Sequence, residues 1–223
     1  FEAYSDFEVF VKRNSDNINP IFNFVKEDEI VDTNVISLFN DEKGTVVGPY
    51  LFSEGGYRIA KLVDIQLRPD SVESRHILIA PDEDKDLDST IALVDLLKKE
   101  IESGKDFADL AQKHSIDKSS AIKGGDLGWF KEGAMVAEFN EVCFTAKKGD
   151  LTIVESQFGI HLIEVTRTSR KVKKVKIAFV DRVVEPSSET YNHYYTQAAQ
   201  FAGALLSTDT TTFDDLIASN NLA

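Results

Sequence analysis

From Ser74 to Thr166 the sequence spells one strand, a run of helices and then a hairpin, and that order restricts the fold more than any other feature. Ser74-Arg75-His76-Ile77-Leu78-Ile79 is an apolar run of strand length. After an acidic loop from Pro81 to Asp86, Asp88 or Ser89 can cap a helix with Ile91, Val94, Leu97 and Ile101 on one face and Gly104 as its stop. Asp106 caps a second helix bearing Phe107, Leu110 and Ala111. Ser115 to Gly128, rich in Ser, Gly and Asp, reads as loop, and a further short helix fits Ala137 to Ala146. Gly149-Asp150 then turns the chain into two strands, Thr152 to Phe158 and Ile160 to Thr166, folded back at Gly159. So few strand crossovers cannot build a parallel sheet, and the expectation is an α+β domain with a mostly antiparallel sheet.

Composition sets the outer limits. With 38 acidic against 25 basic residues the net charge is -13, which argues against phosphate-backbone contacts and against anionic membrane surfaces. The lone Cys143, between Val142 and Phe144, allows no internal disulfide and reads as a small buried hydrophobe. No apolar run of about 18 residues is present to span a bilayer. The chain starts on Phe1, so a processed product or a cut segment is expected, with a signal or anchor lying outside it.

The flanks echo the middle. Phe7 to Asp16 echoes Phe107 to Ser115, and Gly44 to Leu62 echoes Gly149 to Val165. Val175 to Val180 reads as a strand, Pro186 to Glu189 as a helix start with Tyr191, Tyr195, Ala198 and Phe201 on its face, and Phe213 to Ile217 again echoes Phe107 to Ala111. The N-terminal piece thus matches the second half of the central unit and the C-terminal piece its first half, in order though weakly in identity.

The central unit resembles the parvulin family of peptidyl-prolyl isomerases. The resemblance rests on SRHILI (74–79), FADLAQKHSID (107–117), SSAIKGGDLGWF (119–130), GAMVAEF (133–139) and SQFGIHLIEV (156–165), in family order. The nearest neighbourhood is the extracytoplasmic folding factors of the PpiD and SurA type. The resemblance implies an FKBP-like fold with a four-stranded, mostly antiparallel sheet flanked by helices, with degenerate parvulin-like segments on either side. It also implies the site: a histidine pair, His76 and His161, with Asp117 where relatives carry Cys or Asp, and Ser156 bonding into the pair. Leu127, Met135 and Phe139 match the proline pocket, Phe158 stands nearby, and Phe130 packs underneath.

Prolyl isomerisation breaks no bond. It must overcome amide resonance, a barrier of about 18–20 kcal/mol, so no nucleophile, metal or cofactor is expected. A pocket holds the ring, and a polarised hydrogen-bond network favours the twisted amide. Asp117 in place of Cys points to electrostatic tuning and away from covalent catalysis. A purely structural role also fits the histidines, since buried polar groups need partners. Met135 and Phe139, four apart, fit plain core as well. Gly124-Gly125 serves a tight turn, with no P-loop Lys-Ser/Thr after it. His114 and His193 lie on helices away from the motif.

Phosphate-directed parvulins place basic residues after the first strand. Here Pro81 to Asp86 is acidic and should repel phosphoserine, so an unphosphorylated, broad preference is expected. In the flanks, Arg58 takes the place of His161 and Ile177 that of His76, so whatever they build should be catalytically silent. The expected division is 1–70 as a partial, non-catalytic segment, 71–170 as the catalytic domain and 171–223 as a second partial segment. Either the two pieces complete one further domain, within a chain or between exchanging chains, or each is half of a separate domain whose open strand edges favour self-association. The function expected is isomerase action on unfolded or partly folded polypeptides with X-Pro bonds, with no nucleic acid as partner. The alternative is a holdase chaperone using the same groove. The expected location is periplasmic or otherwise extracytoplasmic, with an anchor segment outside this chain.

Overall fold

In a computed structural model, residues 6–18, 20–52, 55–81 and 86–207 are described. Two compact units divide the chain, one formed by Phe1–Tyr50 with Arg58–Asp181 and the other by Leu51–Tyr57 with Arg182–Ala223.

The central sheet has the order β5(Asp126–Lys131), β4(Ser71–Ile79), β7(Gly159–Thr168) and β6(Leu151–Ser156), antiparallel throughout. One face buries Ile77, Ile79, Ile160 and Leu162 under two helices, α2(Leu87–Glu102) and α3(Phe107–His114), which supply Val94, Leu97, Phe107 and Leu110. The other face buries Val72, Val154, Ile163 and Val165 under α5(Ala137–Thr145), with Phe139, Cys143 and Phe144. Strand alternation sorts the two sets, because successive side chains point to opposite faces.

Three local expectations change. The first helix starts at Leu87, capped by Asp86, whose carboxylate accepts the Ser89 N–H at 2.8 Å; Asp88 and Ser89 fall inside it. The Ser115–Gly128 loop contains a one-turn helix, α4(Lys118–Ala121), capped by Asp117. Strand β5 begins in the same stretch, at Asp126. It follows Gly125, whose φ of +83° and close approach to the His76 carbonyl, which any Cβ would strike, leave room for glycine alone. The His76 N–H donates to the Gly125 carbonyl across that approach.

A second four-stranded sheet repeats the arrangement. Its order is β1(Phe24–Val25), β8(Lys171–Val183), β3(Gly56–Pro69) and β2(Val46–Phe52), so the strand from the C-terminal segment sits between two from the N-terminal segment. A helix, α1(Phe7–Asn14), capped by Asp6, packs Val11 against Ala178 and Val180, and a 3-10 turn over Thr33–Phe39 buries Val35 and Leu38 beside Leu62, Val175 and Ile177. Strand β3 runs on into β4 and β7 into β8, and the two crossings are tied together by backbone bonds: Asp70 N–H to the Arg170 carbonyl at 3.1 Å and Ser169 N–H to the Ser71 carbonyl at 3.0 Å.

In the other unit, Ser188–Ser207 forms α6, beginning where the Ser187 hydroxyl accepts the Thr190 N–H. Tyr191 and Tyr195 stack on one another with centroids 6.1 Å apart. The acidic residues 82–85 and the Phe213–Ile217 echo lie outside the described residues.

Candidate active site

Strand register brings the two histidines together. His76 on β4 lies opposite Ile163, and His161 on β7 lies opposite Leu78, so the imidazoles are diagonal neighbours on the α5 face. Their rings stack with centroids 5.4 Å apart and planes 21° apart, and the two Nδ1 atoms are 3.2 Å from one another. Both residues are buried. Their outer nitrogens reach in opposite directions. His76 Nε2 is 2.9 Å from Asp117 Oδ2, and His161 Nε2 is 2.7 Å from Ser156 Oγ.

Asp117 is held by its position at the cap of α4. Its Oδ1 accepts the Ser119 N–H at 3.1 Å and the Ser119 hydroxyl at 2.6 Å, and its Oδ2 accepts the Ser120 hydroxyl. Burial alone would push this carboxyl up, but the bonds from Ser119, Ser120 and His76 prevail and hold it well below the usual carboxylate range. Burial pushes the His161 imidazole down to about 4, and the neighbouring His76 adds to the shift against a smaller opposing pull from Asp117.

One set of proton positions satisfies the whole chain when each ring carries a single proton. An ionised Asp117 only accepts, so His76 Nε2–H donates to it. His76 Nδ1 then accepts from His161 Nδ1–H, leaving His161 Nε2 to accept the Ser156 hydroxyl. Ser156 Oγ in turn accepts the Phe158 N–H at 3.1 Å.

Phe139 on α5 presents its ring edge-on to both imidazoles, at 5.6 Å from His76 and 5.3 Å from His161. Phe130 lies behind it at 6.4 Å, and Leu127 and Met135 pack half-buried against the same cluster. Phe158, on the β6–β7 turn, is exposed. Sequence reasoning missed Ser120, which is buried and places its hydroxyl 3.1 Å from His76 Nε2. The available signal was its place three residues after a helix-capping Asp. Cys143 is fully buried, its thiol pushed up to about 12 by burial.

The second sheet carries a counterpart of this site with other chemistry. Leu78 N–H bonds to Ser115 Oγ and Ile116 N–H to the Leu78 carbonyl; Asp181 N–H likewise bonds to Ser15 Oγ and Asp16 N–H to the Asp181 carbonyl. Counting back two residues from Leu78 and from Asp181 pairs His76 with Phe179. Ile177, the residue expected in that place, is displaced by two, because the bond to the helix-terminating serine fixes the register. Arg58 does stand in the place of His161, since Gly44 N–H bonds to the Leu62 carbonyl as Gly149 N–H does to Val165. Its guanidinium lies 4.8 Å from the Phe179 ring centroid, bonds bidentately to Asp181 at 2.6 and 2.9 Å, and reaches Asp32 at 3.1 Å. A groove of about 400 Å³ opens over Arg58 and Phe179, walled by Asn17, Ile21, Ile30 and Val31.

Residues 57–169, just over half of the chain, match the PPIC-type PPIASE domain family. The chain belongs to that family. Among curated relatives, Chaperone SurA of Methylococcus capsulatus is 45% identical over 121 residues, covering 51% of this chain and 26% of that protein. Chaperone SurA of Photorhabdus laumondii is 36% identical over 166 residues, covering 71% and 37%. The chain thus spans about a quarter to a third of the length of these relatives. Among solved structures, the peptidylprolyl isomerase PrsA of Bacillus anthracis is 28% identical, covering 60% of this chain and 52% of its own, with a TM-score of 0.38. NmPin, the parvulin of Nitrosopumilus maritimus, is 29% identical, covering 44% and 97%, also with a TM-score of 0.38.

Proposed function

We propose that this PPIC-type domain isomerises prolyl peptide bonds in unfolded or partly folded polypeptides. The observation that carries the reading is the unbroken hydrogen-bond chain from Ser156 through His161 and His76 to Asp117, lying against the Phe139 ring. Phe139, Leu127 and Met135 hold the proline ring over Phe130, with Phe158 at the rim. The histidine chain, tensioned by an ionised Asp117, supplies a fixed dipole for an amide that has lost resonance. Asp117 tunes the pair and makes no covalent bond. In a protease-coupled assay on an Ala-Pro peptide, the protein accelerates isomerisation and His76→Ala, His161→Ala and Asp117→Ala each slow it. No acceleration by the unmodified protein would sink the reading.

A second reading, a polypeptide holdase, is favoured by the groove over Arg58 and Phe179, which keeps an open apolar wall where the catalytic pair is missing. Undiminished suppression of client aggregation in the three variants supports it. The placement of β8 between β1 and β3 supports a composite, silent domain completed within one chain from residues 6–70 and 171–181. An unphosphorylated substrate preference rests on the acidic Pro81 to Asp86 segment; faster turnover of a phosphoserine-proline peptide than of its unmodified twin contradicts it. An extracytoplasmic location rests on the likeness to extracytoplasmic folding factors, and fractionation of cells making the full-length protein tests it.

A further inference from the structure

Glu132 lies between β5 and α5 with its side chain only 3% exposed. Its Oε1 takes Arg68 Nη2 at 2.8 Å and its Oε2 takes Lys174 Nζ at 2.9 Å. Arg68 comes from β3 and Lys174 from β8, so both cations belong to the second sheet, and both residues are 1% exposed. Two buried cations from the second sheet thus meet at one buried carboxylate that follows β5 of the first. The surplus positive charge is met by Glu141 of α5, which accepts from Arg68 Nη1 at 3.1 Å and Nη2 at 3.0 Å.

The same short helix is gripped at further points. Asn140 Oδ1 accepts the Gly133 N–H at 2.8 Å, and its amide faces Glu132 Oε1 at 3.4 Å. The Phe144 ring lies 4.7 Å from the Lys174 ammonium and 6.0 Å from the Arg68 guanidinium. Phe139, next to Asn140 in sequence, touches the histidine pair. Helix α5 has nine residues, so a shift at Glu141 is transmitted directly to Phe139.

We infer that Arg68, Lys174 and Glu132 are positioning residues: the non-catalytic sheet uses them to seat α5 and so sets the Phe139 wall of the proline pocket. This rests on the isomerase reading above. Apolar side chains would fill the same space at comparable stability, but they would let the helix slide, whereas directed ion pairs admit one seat.

The test replaces the cluster in one step with Arg68→Met, Glu132→Leu and Lys174→Met, which leaves no unpaired buried charge. The melting temperature is expected to hold, KM for an X-Pro peptide to rise about fivefold and kcat to stay within about twofold, because a pocket wall contributes to binding in both ground and transition states. A purely structural role would lower the active fraction, so that kcat falls and KM stays put. The His161 imidazole proton shifts, which sense the Phe139 ring edge, are expected to move. Wild-type KM and unmoved shifts in the folded triple variant overturn the inference, as does a fall in kcat alone. If the triple variant does not fold, Glu141→Gln decides by the same two readouts in the same directions. If the wild-type protein shows no turnover, the isomerase reading fails, and the His161 shifts alone judge whether α5 has moved.

Discussion

At the residue scale the site is a line of proton donors and acceptors with a defined sense. Asp117 gives it that sense, because a carboxylate held below its usual range only accepts. Asp117→Asn puts a donor-capable amide in its place and breaks the order. A fall in kcat/KM of about tenfold, roughly 1.4 kcal/mol of transition-state stabilisation, is expected in the peptide assay. His161 makes a separate prediction about acid. Its folded value of about 4 lies below the ordinary histidine value, so between about pH 6.5 and pH 4 the unfolded chain binds a proton that the folded chain refuses. Stability is therefore full above about pH 6.5 and declines as pH falls through that window, before Asp117 contributes at lower pH. Urea midpoints measured at pH 7, 5.5 and 4.5 should fall in the wild type and change less in His161→Asn. That His76, His161, Asp117 and Ser156 would meet was legible in the sequence because motif order marks them. Ser120 was not, because its role depends on α4 turning it back toward His76. Phe179 was missed because apolar alternation tolerates a slip of two residues along a strand.

At the scale of elements, the legible parts were those with strong periodicity or caps. Helix α3, with Asp106 at one end and Ser115 at the other, matches its expected bounds, as do α5 and the β6–β7 hairpin to within a residue or two. Strand β5 was not legible. Its short Asp-Leu-Gly-Trp-Phe-Lys run carries two poor strand formers and an exposed Trp129, and it becomes a strand only by pairing with β4. Its entry depends on Gly125. Gly125→Ala meets both an unfavourable positive φ and the His76 carbonyl, and a loss of about 2 kcal/mol or more in denaturant unfolding is expected. On the opposite side of the pair, Phe139→Ala should cost about 3–5 kcal/mol, since the ring is buried and its neighbours are themselves fixed. A cost below about 1 kcal/mol would show that α5 does not seal the histidines from water.

At the scale of the whole molecule, sequence echoes foretold repetition, and the structure adds how the pieces meet. Each sheet keeps the same strand order, and β8 fills the place in the second that β4 fills in the first. That could not be read from the sequence, because nothing in the apolar pattern of residues 175–180 tells which sheet the strand joins. Truncation after Arg170 removes β8 and leaves β1 and β3 without their shared neighbour. Amide protection over 46–52 and 56–68 should vanish in hydrogen exchange, while protection over 71–79 and 159–168 persists. Loss of both together would mean that the sheets fold as a single cooperative unit.

The crossing of β3 into β4 and of β7 back into β8 also sets a timetable. During synthesis, residues 6–70 emerge before the central unit and must wait for β8, which follows only after the intervening hundred or so residues. At a synthesis rate of about 5–20 residues per second the delay is roughly 5–20 s. For that interval the nascent chain exposes unpaired strand edges while its central PPIC-type unit is still being made. The first unfolded polypeptide that the central unit of a newly made copy meets is therefore the stretch just ahead of it in the same chain.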